Sequence, residues 1–385
     1  MTTKNITYSQ HNINKSDIKN VVSTLKSGWL TQGSKVPEFE KILSNYVKSK
    51  YAIAVNSATS ALHLSCLALG LKKNDKVWTS PNTFVSTANA ALLAGAKIDF
   101  VDIDINTNNI CVDKLREKLS KTKKKNLPKA VIPVHLGGYS CDMKKIYHLS
   151  KKYNFKIIED ASHALGSKYF NSLVGSCKYS DLTVFSFHPV KNITTGEGGM
   201  VLTNNKFLSD KIRNLRTHGI EYDFKKLKNR LSNLQGYYQQ TNLGLNYRMS
   251  DIAASLGISQ FKRLKFFIKK RNKIAKKYNM EFKNLPIQIP IIDIDYFSAF
   301  HLYIIKIKGL GLRNKIFNKL IKSNFKVNIH YIPVHTHPFY KKLGFKKNQF
   351  SESINYYNSA ISIPIFPHLK IKDQNRIIKI IKSFF

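Results

Sequence analysis

The sequence predicts an α/β protein: a large unit built on a mostly parallel sheet, followed by a smaller C-terminal α/β unit. Three observations carry this expectation. Seven short apolar runs, at Ala52–Val55, Lys76–Thr79, Lys97–Val101, Ala130–Val134, Phe155–Glu159, Leu182–Phe187 and Met200–Thr203, read as buried strands. Helical periodicity separates most of them, at 85–95, 112–119 and 142–153 and after Ser60; strands alternating with helices form parallel sheets. After about residue 204 the strand signal stops, and from about 283 a shorter alternation of strand and helix begins.

Composition sets the outer bounds. The 385 residues are 43% hydrophobic and 22% charged, the balance of a soluble globular protein with material for a sizeable core. We divide them into 1–250, an N-terminal segment and the large unit, and 251–385, a connecting helix and the small unit. No apolar run is long enough to span a bilayer, and Met1 to Lys15 lacks the apolar region of a signal peptide. The expected location is the cytoplasm, with no membrane partner. Cys66, Cys111, Cys141 and Cys177 are scattered and form no CxxC pair, which argues against a zinc site or a disulfide framework. The formal net charge of +40, from 63 basic and 23 acidic residues, admits a nucleic-acid-binding protein as a class. The basic residues are spread along the chain in short runs such as 121–125, with no basic helix and no RNA-binding aromatic signature. Compositional drift explains the charge better, and no specific nucleic acid is expected; a positive field would still attract a phosphorylated substrate.

The first 15 residues are polar and include Tyr8. Helical periodicity opens at Ser16, with Ile18, Val21, Val22 and Leu25 on one face, and ends at Gly28. Trp29-Leu30-Thr31-Gln32-Gly33 is a loop, and a second helix starts near Pro37. Beyond the sheet, helices are expected over 206–217 and 250–280, flanking a polar loop at 219–245. The small unit should hold strands at Leu302–Ile307 and Lys326–Ile329 with a helix near Arg313–Ser323 between them. An apolar stretch, Ile361–Phe366, then precedes a closing helix at 371–384.

Chemistry concentrates where strands end. The run 182–187 stops at His188-Pro189, Lys191 follows, and a glycine cluster leads into the next strand. A lysine on a rigid turn between buried strands can be partly desolvated, which lowers its pKa and makes it a nucleophile of the Schiff-base kind; in a chain this rich in lysine it could equally be a solvated turn residue. Asn56-Ser-Ala-Thr-Ser60 lies between a strand and a helix N-terminus, where free N–H groups and the helix dipole favour an anion such as phosphate. An ordinary N-cap has the same composition. Asp160 ends another strand and can hold a ring nitrogen protonated or simply cap a helix there; His163, three residues on, could equally be a core histidine. Phe84 follows a strand end and could stack on a flat ring or pack in the core. Ser186 could donate to a phosphate or be an idle small residue.

Taken in order on one sheet, these residues resemble the fold-type-I pyridoxal phosphate enzymes. More narrowly, the chain resembles the DegT/DnrJ/EryC1/StrS family of nucleotide-sugar aminotransferases. The matching motifs are Trp29-Leu-Thr-Gln-Gly33, Ser57-Ala-Thr-Ser-Ala-Leu-His63, Glu159-Asp160-Ala161, Ser186-Phe-His-Pro-Val-Lys191, Gly196-Glu-Gly-Gly199, Arg216-Thr-His-Gly219, Leu245-Asn-Tyr-Arg-Met-Ser-Asp251 and His330-Tyr-Ile-Pro-Val-His335. The Leu-Thr-Gln-Gly loop and the Ser-Phe-His-Pro-Val-Lys form look closest to the branch acting in pseudaminic acid biosynthesis, which aminates a UDP-linked 4-keto-6-deoxy-N-acetylhexosamine at C4.

The resemblance implies a site. Lys191 would carry pyridoxal 5'-phosphate as an internal aldimine, Asp160 would pair with its ring nitrogen, and His163 would lie by the ring where many relatives carry glutamine. Phe84 would cover the ring, and Thr59, Ser60 and Ser186 would hold the phosphate. Asn246 would reach the cofactor phosphate of a neighbouring subunit, which implies a homodimer with shared sites. Tyr8, Trp29, Leu30, Thr31, Gln32 and the segment His330, Tyr331, Ile332, Pro333 to His335 would line the sugar site. Relatives commonly have Gly at position 58 or Ala at 60, where this chain has Ala58 and Ser60. Glutamate is the implied donor, with Lys191 moving the proton in each half of the transamination. A sugar dehydratase on the same scaffold would carry histidine in place of Lys191.

Overall fold

The structure is a computed structural model that describes residues 5–385 except 224, 226 and 228–234. All seven expected strands form, and they join in one sheet. In chain order they are β1 (Tyr51–Val55), β2 (Lys76–Thr79), β3 (Lys97–Phe100), β4 (Ala130–Ile132), β5 (Lys156–Asp160), β6 (Leu182–Ser186) and β7 (Gly199–Thr203). Across the sheet the order is β1-β7-β6-β5-β4-β2-β3. The five strands from β6 to β3 pair in parallel. β7 runs antiparallel to both β6 and β1, so the other six share one direction.

Alternation along each strand feeds two cores. In β1, Ile53 and Val55 join the cluster on one face, while Ala52 and Ala54 join the cluster on the other. The first face is covered by α3 (Ala58–Ala68), α4 (Val85–Leu93) and α7 (Lys206–Arg216). The second is covered at one end by α2 (Lys35–Val47) and α8 (Asp251–Phe261), and at the other by α5 (Val112–Lys121) and α6 (Met143–Tyr153). An N-terminal helix, α1 (Lys15–Leu25), lies on α8 and is capped reciprocally by Asn14 and Asp17.

A further core lies C-terminal to the sheet. The far half of α9 (Leu264–Phe282), α10 (Leu310–Lys322) and α13 (Ile371–Lys382) pack on an antiparallel sheet of β8 (Ile287–Gln288), β9 (Tyr303–Ile307) and β10 (Ala360–Ile363). Two shorter helices, α11 (Pro338–Lys342) and α12 (Ser351–Ser359), lead into β10.

Two expectations need correction. The helix expected over 250–280 breaks at Lys262-Arg263, where the Arg263 guanidinium turns to Asn12 and Asp17 on the N-terminal segment. The strand expected over 326–329 is the short pair Phe325–Lys326, held in parallel by Ile6–Thr7. The polar loop at 219–245 lies partly outside the described residues. Among the described residues, no helix is long and apolar enough to cross a membrane.

Candidate active site

With six strands in one direction, their carboxyl ends share one edge, and ligands of such sheets bind there. After β1, Ser57 caps α3 by accepting the Ser60 N–H at 3.1 Å. Thr59 is exposed and Ser60 buried on this first turn. β7 begins against it: Gly199 sits opposite Val55 on one side and Ser186 on the other. A Cβ at Gly199 would lie 2.5 Å from the Ser57 carbonyl oxygen, so only glycine allows the approach. Thr59, Ser60 and Ser186 thus gather around a helix N-terminus, an arrangement suited to phosphate.

Asp160 ends β5 and is buried. Its Oδ2 accepts from the Thr87 hydroxyl at 2.6 Å, and its Oδ1 accepts from the Ser162 N–H at 3.1 Å and hydroxyl at 2.6 Å. Lys191 rides on the turn after β6. The Thr194 hydroxyl and Thr195 N–H both donate to the Phe187 carbonyl, and the Ser9 hydroxyl donates to the Val190 carbonyl at 2.8 Å. The N-terminal segment therefore closes over the lysine turn. Lys191 is half-buried, and loss of water pulls its amine down to about 8, against the opposing pull of Asp160 and Glu197.

His163 is buried within reach of the Lys191 charge. Its Nδ1 accepts the Gly137 N–H at 3.2 Å, and its Nε2 lies 3.1 Å from the Tyr331 hydroxyl. The ring packs 4.4 Å from His301, and burial together with the Lys191 charge holds its pKa well below the ordinary 6.5. Phe84 is 56% exposed, so it is no core side chain, and its ring centre is 5.9 Å from that of Tyr331. Tyr8 packs edge-on to His330 at 4.7 Å, and burial and Lys191 bring His330 down to about 3.

The Trp29–Gln32 loop is anchored to the start of α8: Leu30 accepts the Asp251 N–H, Thr31 bridges Ser250, and Asp251 in turn accepts the Gly33, Lys35 and Val36 N–H groups. Trp29 and Gln32 line a cleft with Ser23, Thr24 and Ser27, and Lys191 is not among the residues lining it. Ile332 is exposed and Pro333 buried. His335, expected at the sugar site, is fully enclosed: its Nε2–H donates to the Lys347 carbonyl at 3.1 Å and its ring packs against Phe350. Asn246 is exposed, and its side chain makes no hydrogen bond among the described residues.

Sequence reasoning missed Thr87, Ser162, Asn82 and His301. Asn82 accepts the Tyr331 N–H at 3.2 Å across 249 positions, a link that no local pattern announces. Thr87 carried a faint signal, since it faces inward on a helix that starts just after a strand end.

A model of the DegT/DnrJ/EryC1/StrS aminotransferase family matches residues 11–382. The chain is 44% identical over 371 residues to a Campylobacter jejuni protein named UDP-4-amino-4,6-dideoxy-N-acetyl-beta-L-altrosamine transaminase, covering 96% of this chain and 94% of that one. Among solved structures it is similar to Helicobacter pylori PseC, described as an aminotransferase involved in the biosynthesis of pseudoaminic acid. That match has a TM-score of 0.89, 31% identity and 99% of each chain covered. It is also similar to the putative sugar aminotransferase Spr1654 from Streptococcus pneumoniae in its PLP form, with a TM-score of 0.89 and 30% identity, covering 99% of this chain and 98% of that one.

Proposed function

The chain belongs to the DegT/DnrJ/EryC1/StrS aminotransferase family, and from that premise we propose a substrate and a division of labour among its residues. The reaction is pyridoxal-phosphate-dependent transfer of an amino group from glutamate to the C4 keto group of a UDP-linked 4-keto-6-deoxy-N-acetylhexosamine. One observation carries the choice of sugar: a relative matched along nearly the whole chain is named for a UDP-linked, 4-amino, 6-deoxy product.

The cofactor fits the residues at the sheet edge. A helix N-terminus with hydroxyls, an exposed aromatic ring, an oriented carboxylate and a half-buried amine near pH 8 are the groups its phosphate, ring, ring nitrogen and aldehyde require. When bound, pyridoxal phosphate supplies an electron-withdrawing ring that stabilises charge at the carbon being deprotonated. Thr59, Ser60 and Ser186 hold its phosphate, Phe84 covers its ring, and Asp160 meets the ring nitrogen. Lys191 Nζ would anchor the cofactor, and its free amine would take and return the proton. His163 borders the ring, while Tyr8, His330 and Tyr331 form the sugar side.

The active unit is a homodimer with shared sites. In it Asn246, and the Trp29–Gln32 loop anchored four and five residues further on, at Ser250 and Asp251, reach the partner's site. The protein acts in the cytoplasm, and the chain divides functionally near residue 250.

The test is a substrate panel with glutamate as donor. The 4-keto sugar leading to the L-altro product should be aminated at C4, as read by mass spectrometry and NMR, in preference to its D-xylo relative and to a 3-keto sugar. Amination at C3, or preference for a dTDP- or GDP-linked sugar, would overturn the substrate and leave the aminotransferase standing.

A further inference from the structure

We propose that the Tyr331 hydroxyl is a hydrogen-bond donor into the active site, its proton turned there by His163, and that it serves an oxygen acceptor on the cofactor or on the keto sugar. The proposal rests on the functional reading above and assigns a direction to one of its bonds.

The Gly137 N–H donates to His163 Nδ1, so that nitrogen carries no proton. A neutral imidazole then holds its proton on Nε2. Neutrality is secured by burial against His301, by the charge of Lys191 and by His330, which together keep the ring from protonating. The Nε2–H lies 3.1 Å from Tyr331 Oη and can only donate to it. The phenol is therefore an acceptor toward His163, and its own proton must leave in another direction. Among the described residues, none accepts it. The phenol keeps that proton, because burial above all, with the carboxylate charge of Asp160, raises it well above the ordinary 10.

The direction is rigidly held. Gly137 lies in a tight turn with φ of +66°, and its carbonyl accepts the Leu302 N–H at 3.2 Å. Leu136 is fixed by Asn109 Oδ1 at 3.0 Å. On the other side the Tyr331 N–H is bound to Asn82, and the Tyr331 ring borders Phe84. His163 is thus a positioning residue and Tyr331 the group that meets the ligand.

The holoenzyme distinguishes the two acceptors. Tyr331→Phe should shift the pH midpoint of the visible cofactor band by about one unit, without substrate present, when the acceptor is on the cofactor. When it is the sugar's keto oxygen, the band stays and the sugar half-reaction slows about tenfold while the glutamate half-reaction does not. His163→Leu should move the same quantity in the same direction, and the double variant should look like Tyr331→Phe alone. His163→Gln, whose amide can present an N–H to Oη, should keep the wild-type value. Additive effects in the double variant, or a Tyr331→Phe enzyme with unchanged band and unchanged half-reactions, would overturn the proposal; the tyrosine arm stands even where a His163 variant folds poorly. Absence of any cofactor band in the wild-type protein would bring down the functional reading and this proposal with it.

Discussion

Thr87 Oγ1 lies 2.6 Å from Asp160 Oδ2, and Thr83 Oγ1 lies 2.7 Å behind it. A carboxylate accepts, so Thr87 donates forward and takes its own hydrogen bond from Thr83. With Ser162 bonding the other oxygen, every donor around Asp160 is aimed at an acceptor. Asp160→Asn sets an NH₂ group against those donors and removes the charge that would hold a ring nitrogen protonated. Turnover should fall by about a thousandfold or more, with Asp160→Glu less harmful. Thr87→Val keeps the shape and removes one charge-assisted bond, for a loss of about tenfold in turnover. Single-turnover rates of both half-reactions check these values, and near-normal rates in the Asn variant would show that the carboxylate only caps its strand.

Lys191→Ala should abolish transamination while the fold stays, because the same amine anchors the cofactor and moves the proton. Borohydride reduction followed by peptide mapping should label Lys191 and no other lysine. The amine's pKa of about 8 gives the reaction of cofactor-free protein with pyridoxal phosphate a definite pH profile. Only the neutral amine attacks, so the rate should rise with pH and level off above about 8. At pH 7 roughly a tenth of the lysine is neutral, about 300-fold more than at the ordinary pKa near 10.5. A rate still climbing steeply at pH 9 would mean that the turn does not desolvate the amine.

Glu40 is a stability determinant outside the site. It is buried on α2, where Oε1 accepts the Ala54 N–H and the Arg216 guanidinium, both at 2.8 Å, and Oε2 meets Arg213 at 2.8 Å. Three elements, α2, β1 and α7, meet on one carboxylate. Glu40→Ala leaves the enclosed Arg216 without its carboxylate, with only the Ala54 carbonyl to accept from it, and should cost about 3–5 kcal/mol, read as a lower urea midpoint. Glu40→Gln should cost less, and a cost under about 1 kcal/mol for the alanine would show that the arginines find other acceptors.

Local pattern announced the sheet because each strand is a short apolar run bounded by turn residues, and Lys191 stood out because it sits between two of them. The surroundings of these residues were not legible. Asp160 is held by Thr87 from 73 positions away, and His163 is bonded by Tyr331 from 168. Nothing at the level of periodicity joins such pairs. The break in the helix at Arg263 has the same origin, since its partners Asn12 and Asp17 lie about 250 positions upstream. His335 illustrates the same gap: the motif gives its place in the chain, and nothing local announces that its ring packs against Phe100 and Phe350.

The dimer prediction follows from what Asn246 lacks. The residue is exposed and without a hydrogen-bond partner among the described residues, and nearby Leu243 is 87% exposed, an apolar side chain that a partner subunit would cover. When Asn246 serves the neighbouring site, a Lys191→Ala chain and an Asn246→Ala chain complement each other. In the hybrid, one site carries both defects and the other neither. Mixing the two inactive proteins under conditions of subunit exchange should restore activity to about a quarter of wild type, because half of the dimers are hybrids and one site in each is intact. Activity that never rises above the mean of the two parents would place Asn246 in its own chain's site. Full activity in a monomer at nanomolar concentration would remove the shared site altogether.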